Sequence, residues 1–238
     1  MLADSAIVSF RTPRRDREEK PWSSVGSAEL AAAVPWRTFR WYRGQKHYSG
    51  TYWSATMRDH VIYESRLELS RLLLDDFDQA VHRILAQPFL LKTQANGKVR
   101  KHIPDYLLIT AHGPEVIDVK PRHRLARPEV AFTFEWTRQA VEARGWKYTV
   151  WSEPEPVVLE NVRFLAGYRR DWLFDDALLE QARTLAASGG TLGEIIKSAS
   201  SQDPAAIRAC VLHLLWNGDL VTDLTVPLGP DHRLRGAQ

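Results

Sequence analysis

The sequence has few residues that could form covalent cross-links, because only one of its 238 residues, Cys210, is a cysteine. One cysteine excludes an internal disulfide and a cysteine-based metal cluster. No apolar run approaches the roughly 18 residues that a membrane span needs. The N-terminus lacks a basic segment followed by an apolar one, so we expect no signal peptide and no membrane partner. These absences favour a protein of the reducing cytoplasm.

Excess charge of one sign is also nearly absent, since 32 Lys and Arg residues face 29 Asp and Glu residues. The basic residues are nevertheless unevenly spread: residues 11–46 contain nine of them against four acids, interleaved with aromatic residues. Such a segment suits a phosphate backbone, and it equally suits a solvated arm whose aromatic residues pack on the domain. Arg40 and Arg43 are its candidate DNA contacts.

The hydrophobic pattern predicts an α/β fold with a mixed sheet flanked by helices. Residues 1–35 show no periodicity and are interpreted as an irregular leader. The connection from Val116 to Tyr148 passes through a helix and is long enough to make its two strands parallel. The predicted helices are 61–77 and 129–144, and the predicted strands are 81–84, 89–92, 106–110, 115–119 and 147–151.

A Pro-rich joint, EPEPVV at 153–158, separates a second pattern. It predicts helices over 159–168, 175–187, 192–199 and 204–216, followed by a hairpin. Asp203 is the expected N-cap of the last helix, and Cys210 is expected in its core. The sequence therefore predicts an α/β domain over 36–155 and a small winged-helix-like α+β domain over 156–238.

The segment IPDYLLITAHGPEVIDVK, residues 103–120, carries charge at both ends of a predicted hairpin. Antiparallel pairing brings Asp105 close to Asp118, and side-chain alternation puts Asp118 and Lys120 on one face. Neighbouring carboxylates repel one another unless a cation lies between them. Oxygen ligands select Mg²⁺ or Mn²⁺, which polarises a phosphoryl oxygen and lowers the pKa of bound water.

This arrangement matches the PD-(D/E)xK signature of metal-dependent nucleases. The pattern alone favours a surface hairpin with a solvated Asp–Lys pair, but the crossover helix and parallel strand that follow favour a nuclease. The preceding helix offers Glu64 and Glu68, four residues apart on one face, and either could be the third carboxylate. For Glu64 we expect a solvated helix face with Arg66 or Arg71 as its ion-pair partner.

Residues 65–91, 102–108 and 116–121 resemble TnsA, the endonuclease subunit of heteromeric transposases. The resemblance covers about 35–155 and implies a restriction-endonuclease-like fold. It implies Glu68, Asp105, Asp118 and Lys120 as catalytic residues, with the three acids holding Mg²⁺ or Mn²⁺. Some family members carry Gln at the third acid, whereas this chain keeps Asp118.

TnsA-like subunits cut the non-transferred strand at transposon ends, while a DDE transposase cuts and joins the other strand. The resemblance therefore implies double-stranded DNA, a DDE transposase and an AAA+ ATPase regulator as partners, and a nucleoid-associated location. Two alternatives stay open. One is a stand-alone restriction or repair nuclease of the same fold, and the other is a non-catalytic winged-helix DNA-binding or adaptor protein.

Several polar residues flank the predicted metal strands. Gln87 is interpreted as a support near the metal, although Pro88 could simply end a strand there. His102 is expected to be a loop or hydrogen-bonding histidine rather than a metal ligand. The candidate DNA contacts here are Arg100, Lys101, Arg122 and Arg124, for which exposed loop positions are the alternative.

Overall fold

The computed structural model describes residues 5–14, 16–37, 48–95, 97–199 and 203–237. The chain divides into two compact units: unit 1 comprises Met1–Asp76 and Ala80–Glu153, and unit 2 comprises Phe77–Gln79 and Pro154–Gln238. Arg40 and Arg43 lie outside the described residues. Over the described ranges, we find no helix that combines the length and apolar character needed to cross a membrane.

Unit 1 is a mixed α/β body, which is compatible with the restriction-endonuclease-like fold that the sequence predicts. Its described elements are, in chain order, β1 (Ile7–Arg11), β2 (Arg17–Pro21), α1 (Ser27–Ala31), β3 (Gly50–Ser54), β4 (Asp59–Tyr63), α2 (Arg66–Phe77), β5 (Val81–Ala86), β6 (Leu90–Ala95), β7 (Lys98–His102), β8 (Tyr106–Thr110), β9 (Gly113–Val119), α3 (Arg122–Leu125), α4 (Pro128–Glu142) and β10 (Lys147–Trp151).

The sheet that contains Asp118, on β9, has the strand order β10-β9-β8-β5. Strands β8 and β9 pair antiparallel, and the pairing of Thr110 with Gly113 leaves a two-residue turn. Gly113 has a φ of +108°, which a residue with a Cβ rarely adopts. Strands β9 and β10 are parallel, joined through α4, so the predicted crossover is confirmed.

The first residues form part of the folded unit, and the prediction of an irregular leader is wrong for the described part of 1–35. Strands β1 and β2 belong to a second sheet of order β2-β1-β6-β7. Val8, Phe10 and Trp22 are buried in the core of unit 1, and the Trp22 indole donates a 2.8 Å hydrogen bond to the Ala140 carbonyl. The charged segment REEKP was not recognised as strand β2, which lies at the edge of its sheet and whose residues are partly or fully exposed.

The predicted helix over 61–77 begins later than expected. Residues 59–63 form β4, which pairs with β3, and the helix begins at Arg66. Ser65 stops the strand and starts the helix, because its hydroxyl accepts the Glu68 amide at 3.1 Å. Near the other end, the buried Asp76 carboxylate accepts the Tyr52 hydroxyl at 2.7 Å, which fastens the β3–β4 hairpin to α2.

Unit 2 contains helices and one small antiparallel sheet of order β11-β13-β12. Asp203 accepts the Ala205 amide at 2.9 Å, so the predicted N-cap is confirmed, and Cys210 is buried as expected. The winged-helix-like assignment stays a prediction. The described regular elements are α5 (Pro156–Leu165), α6 (Asp176–Ala187), β11 (Gly190–Thr191), α7 (Leu192–Ser198), α8 (Pro204–Trp216), β12 (Leu220–Val221) and β13 (Arg233–Gly236).

Candidate active site

The β8–β9 hairpin places Asp105 beside the end of β9. The Asp105 amide donates to the Ile117 carbonyl at 3.1 Å. Its carboxylate Oδ2 accepts the Val119 amide at 2.6 Å. Asp105 is thus held by one backbone and one side-chain hydrogen bond to the two residues that flank Asp118, close to Asp118 as the antiparallel register predicted.

The charges of the predicted site residues act on one another. Burial raises the pKa of Asp105 well above its ordinary value, and the charges of Asp118 and Glu68 raise it further. The Val119 amide and the Lys120 ammonium act in the opposite direction. Such mutual repulsion between carboxylates is what a bound cation relieves. We refer to Asp105 and the three residues whose charges shift its pKa, Glu68, Asp118 and Lys120, as the electrostatic cluster.

Glu68 lies in the first turn of α2, where its carboxylate is held by the start of the helix. Its Oε2 accepts the Glu64 amide at 2.7 Å, and its Oε1 accepts the Ser65 hydroxyl at 2.9 Å. Together with the Ser65–Glu68 amide contact, this is a variant of the capping box. Burial raises the pKa of Glu68, while these two hydrogen bonds and the charge of Lys120 lower it.

Asp118, near the end of β9, is almost completely buried, with 2% of its surface exposed. The His102 Nε2 lies 2.8 Å from both of its carboxylate oxygens, and the Tyr148 hydroxyl donates to Oδ2 at 2.5 Å. We assign Nε2 as the donor of this contact, because a carboxylate without a proton can only accept a hydrogen bond. Burial and the charge of Asp118 raise the pKa of Tyr148.

The role of Tyr148 was missed in the sequence. Its signal was the parallel register of β9 and β10: Val150 lies opposite Asp118, and Tyr148 is two residues earlier on the same face of β10. His102, which lies in β7 rather than in a loop, is the hydrogen-bonding histidine that the sequence predicted.

Gln87 is buried and has a φ of +47°, in the left-handed region that non-glycine residues seldom adopt. Its backbone amide donates to the Asp105 carbonyl at 2.8 Å. Its side-chain Nε2 donates to Glu64 Oε1 at 2.6 Å, and its Oε1 accepts the Arg37 amide at 3.2 Å. The structure thus joins Gln87 to the backbone of Asp105 and to the segment that precedes α2.

The expectation for Glu64 is wrong. Glu64 precedes α2 rather than lying on its solvated face, and its carboxylate accepts a hydrogen bond from Gln87. The two arginines expected as its partners are engaged elsewhere: the Arg66 guanidinium lies over the Tyr48 ring, and Arg71 pairs with Asp75. The prediction began the helix at residue 61, whereas α2 begins at Arg66, so Glu64 lies before the helix and not on its face.

The predicted metal ligands do not meet at one point. Within the described ranges, no three His, Cys, Asp or Glu side chains converge closely enough to hold a metal ion. Glu68 and Asp118 instead have their carboxylates engaged by protein donors. The donor chemistry still fits a hard divalent ion, because all three groups are carboxylates and two of them raise the pKa of the third. Their assignment as ligands remains a proposal.

Basic side chains lie next to this cluster along the chain. Helix α3 follows Lys120 after a single proline, and both Arg122 and Arg124 are exposed on it. Lys101 is exposed on β7, whereas the Arg100 guanidinium lies 5.0 Å from the centre of the Phe132 ring. All four residues belong to unit 1, and their role as DNA contacts stays a prediction.

The mixed sheet with acids and a lysine at its edge is typical of the restriction-endonuclease-like class. Residues 78–153 match the model of the family described as TnsA-like endonuclease N terminal, and this match confirms the TnsA-like assignment of that part of the chain. The match covers about a third of the chain. It contains Asp105, Asp118 and Lys120, while Glu68 lies before it. No curated protein matches the chain.

Proposed function

We propose that this chain is the metal-dependent DNA endonuclease subunit of a heteromeric transposase. Its reaction is hydrolysis of the non-transferred strand at transposon ends during cut-and-paste transposition. The observation that carries the proposal is the electrostatic cluster of Glu68, Asp105, Asp118 and Lys120 inside or beside the TnsA-like match.

Each side chain has a role in this reaction that follows from its surroundings. The carboxylates of Glu68, Asp105 and Asp118 supply the hard oxygen ligands for Mg²⁺ or Mn²⁺. When bound, such an ion polarises a phosphoryl oxygen and lowers the pKa of its water. Lys120, whose charge acts on both Glu68 and Asp105, orients the attacking water or stabilises the pentavalent phosphorane.

The proposed partners are double-stranded DNA at transposon ends, a DDE transposase and an AAA+ ATPase regulator. Their support is the family match and the exposed basic residues of α3. For unit 2 we propose contacts with the protein partners. Its buried α8 presents Arg208 and His213 as its only long polar or basic side chains, and His213 is itself buried, which does not suit a helix that reads bases.

The test is reconstituted cleavage of a transposon-end duplex with the cognate transposase, with each strand labelled separately. We expect Mg²⁺-dependent cuts in the non-transferred strand, lost in Asp105→Ala, Asp118→Ala and Lys120→Ala proteins whose circular dichroism matches wild type. The control is Asp59→Ala, which removes an exposed carboxylate on β4. Full activity in all three site variants would refute the nuclease proposal. Cleavage by the chain alone at a defined sequence would instead indicate a stand-alone nuclease.

A further inference from the structure

Asp118 is held from two sides by residues that no sequence motif assigns. His102 comes from β7, an edge strand of the sheet β2-β1-β6-β7, and Tyr148 comes from β10 in the other sheet. The carboxylate lies between them, with the contacts of 2.8 Å and 2.5 Å described above. Two sheets of unit 1 therefore meet at one buried carboxylate.

The two donors are themselves held in place. The His102 ring makes edge contacts with the rings of Phe134 and Trp136 on α4, each with centroids 6.2 Å apart. Trp136 is 2% exposed, so this wall is part of the core. The Arg138 guanidinium lies over the Tyr148 ring, 5.0 Å from its centre. The orientation of both rings is thus set by α4 rather than by solvent.

The two carboxylate oxygens are not used equally. Oδ2 accepts from both His102 and Tyr148, whereas among the described residues Oδ1 accepts from His102 alone. Each carboxylate oxygen can accept about two hydrogen bonds or ligand bonds. Oδ1 can therefore accept a further bond, whereas Oδ2 already accepts two.

We propose that His102 and Tyr148 are positioning residues that fix the Asp118 carboxylate so that its Oδ1 is the oxygen presented to a divalent cation. The inference rests on the proposed function, because it concerns the same cation site. It goes further in assigning a single-oxygen contact and two residues that govern it. Neither residue touches the reacting phosphate in this role.

The reason that such residues matter is energetic. A carboxylate that is oriented before the cation arrives does not have to be ordered during binding, and its charge is not free to turn away. Partners that orient a metal ligand typically contribute about 10–100-fold to metal affinity. Loss of these partners should therefore lower the affinity for the cation and leave DNA binding unchanged.

The experiment is isothermal calorimetry with Mn²⁺ on the full chain, together with the Mg²⁺ concentration that gives half-maximal nicking. For His102→Leu we expect about 10–100-fold weaker Mn²⁺ binding and a similar rise in the Mg²⁺ requirement, with an unchanged KM for DNA. Tyr148→Phe, which keeps the ring, should lie near the lower end of that range. His102→Gln carries an N–H at a similar reach and should restore most of the affinity.

The matched control is His82→Leu, which removes an exposed histidine from β5 and should behave as wild type. Should His102→Leu fail to fold, Tyr148→Phe and His102→Gln decide the question. Mn²⁺ affinity within about threefold of wild type in folded His102→Leu and Tyr148→Phe would overturn the inference, because it falls below the expected effect. In that case, loss of nicking in Asp105→Ala would still support the nuclease proposal. A wild-type chain that binds no Mn²⁺ would overturn both proposals.

Discussion

Replacing Gln87 by alanine and by glycine should reverse the usual order of stability for these two residues. The backbone of Gln87 has a φ of +47°. A residue with a Cβ held in this region costs about 1–2 kcal/mol, and glycine does not have this cost. Glycine itself loses about 0.5–1 kcal/mol relative to alanine in ordinary structure. We therefore expect Gln87→Gly to be more stable than Gln87→Ala by about 0.5–1 kcal/mol.

Both variants should be less stable than wild type, because both lose the side-chain contacts of Gln87. The hydrogen bond to the Glu64 carboxylate, at 2.6 Å, has a charged acceptor and contributes about 1.5–3 kcal/mol. The contact with the Arg37 amide, at 3.2 Å, adds about 0.5–1.5 kcal/mol. For a chain of this size each kcal/mol shifts the melting temperature by about 2–4 °C.

The assay is urea and thermal denaturation of the three proteins under the same conditions, with nicking measured in parallel. The control is Gln94, an exposed residue of β6 outside the left-handed region, where Gln94→Gly should be less stable than Gln94→Ala. Should Gln87→Ala prove more stable than Gln87→Gly, the argument from backbone strain would be refuted. Wild-type stability in both variants would show that the side-chain hydrogen bonds of Gln87 contribute nothing.

Two further outcomes follow from the electrostatics of the site. Without metal, Asp105→Asn should melt at a higher temperature than wild type at neutral pH. The pKa of Asp105 is raised in the folded protein, so the folded state binds more protons than the unfolded state. Wild-type stability therefore falls as the pH rises from the ordinary carboxyl pKa to the pKa in the folded protein. A variant whose stability depends on pH as the wild type does would contradict this. Arg122→Ala should weaken DNA binding at all sequences and reduce the slope of log affinity against log salt concentration by about one, as measured by fluorescence anisotropy. An unaltered slope would show that Arg122 does not contact DNA.

The central hairpin could be predicted because its signals are local. Short runs of apolar residues define β8 and β9, and Gly113 allows the tight turn between them. The length of the α4 crossover then determines the parallel pairing of β10. Asp105 and Asp118 were placed together by register alone, since pairing fixes which residues lie at the same end of two strands.

Other parts depended on contacts between distant segments, which a sequence pattern does not contain. Strand β1 pairs with β6, about 80 residues away, and Trp22 bonds to α4, so the first residues were misread as a leader. The start of α2 was misplaced because the apolar pattern of the helix continued backwards into β4 through Tyr63, although Ser65 was an available capping signal. The environment of Asp118 depends on His102 and Tyr148 from different strands.

The most direct test of the whole account is diffraction from crystals of the full chain soaked in Mn²⁺, recorded at the manganese absorption edge. The account predicts an anomalous peak about 2.0–2.2 Å from an Asp105 carboxylate oxygen and from Asp118 Oδ1, lost in Asp105→Ala crystals. An anomalous peak next to other residues, or no peak near Asp105 in crystals saturated with Mn²⁺, would contradict it.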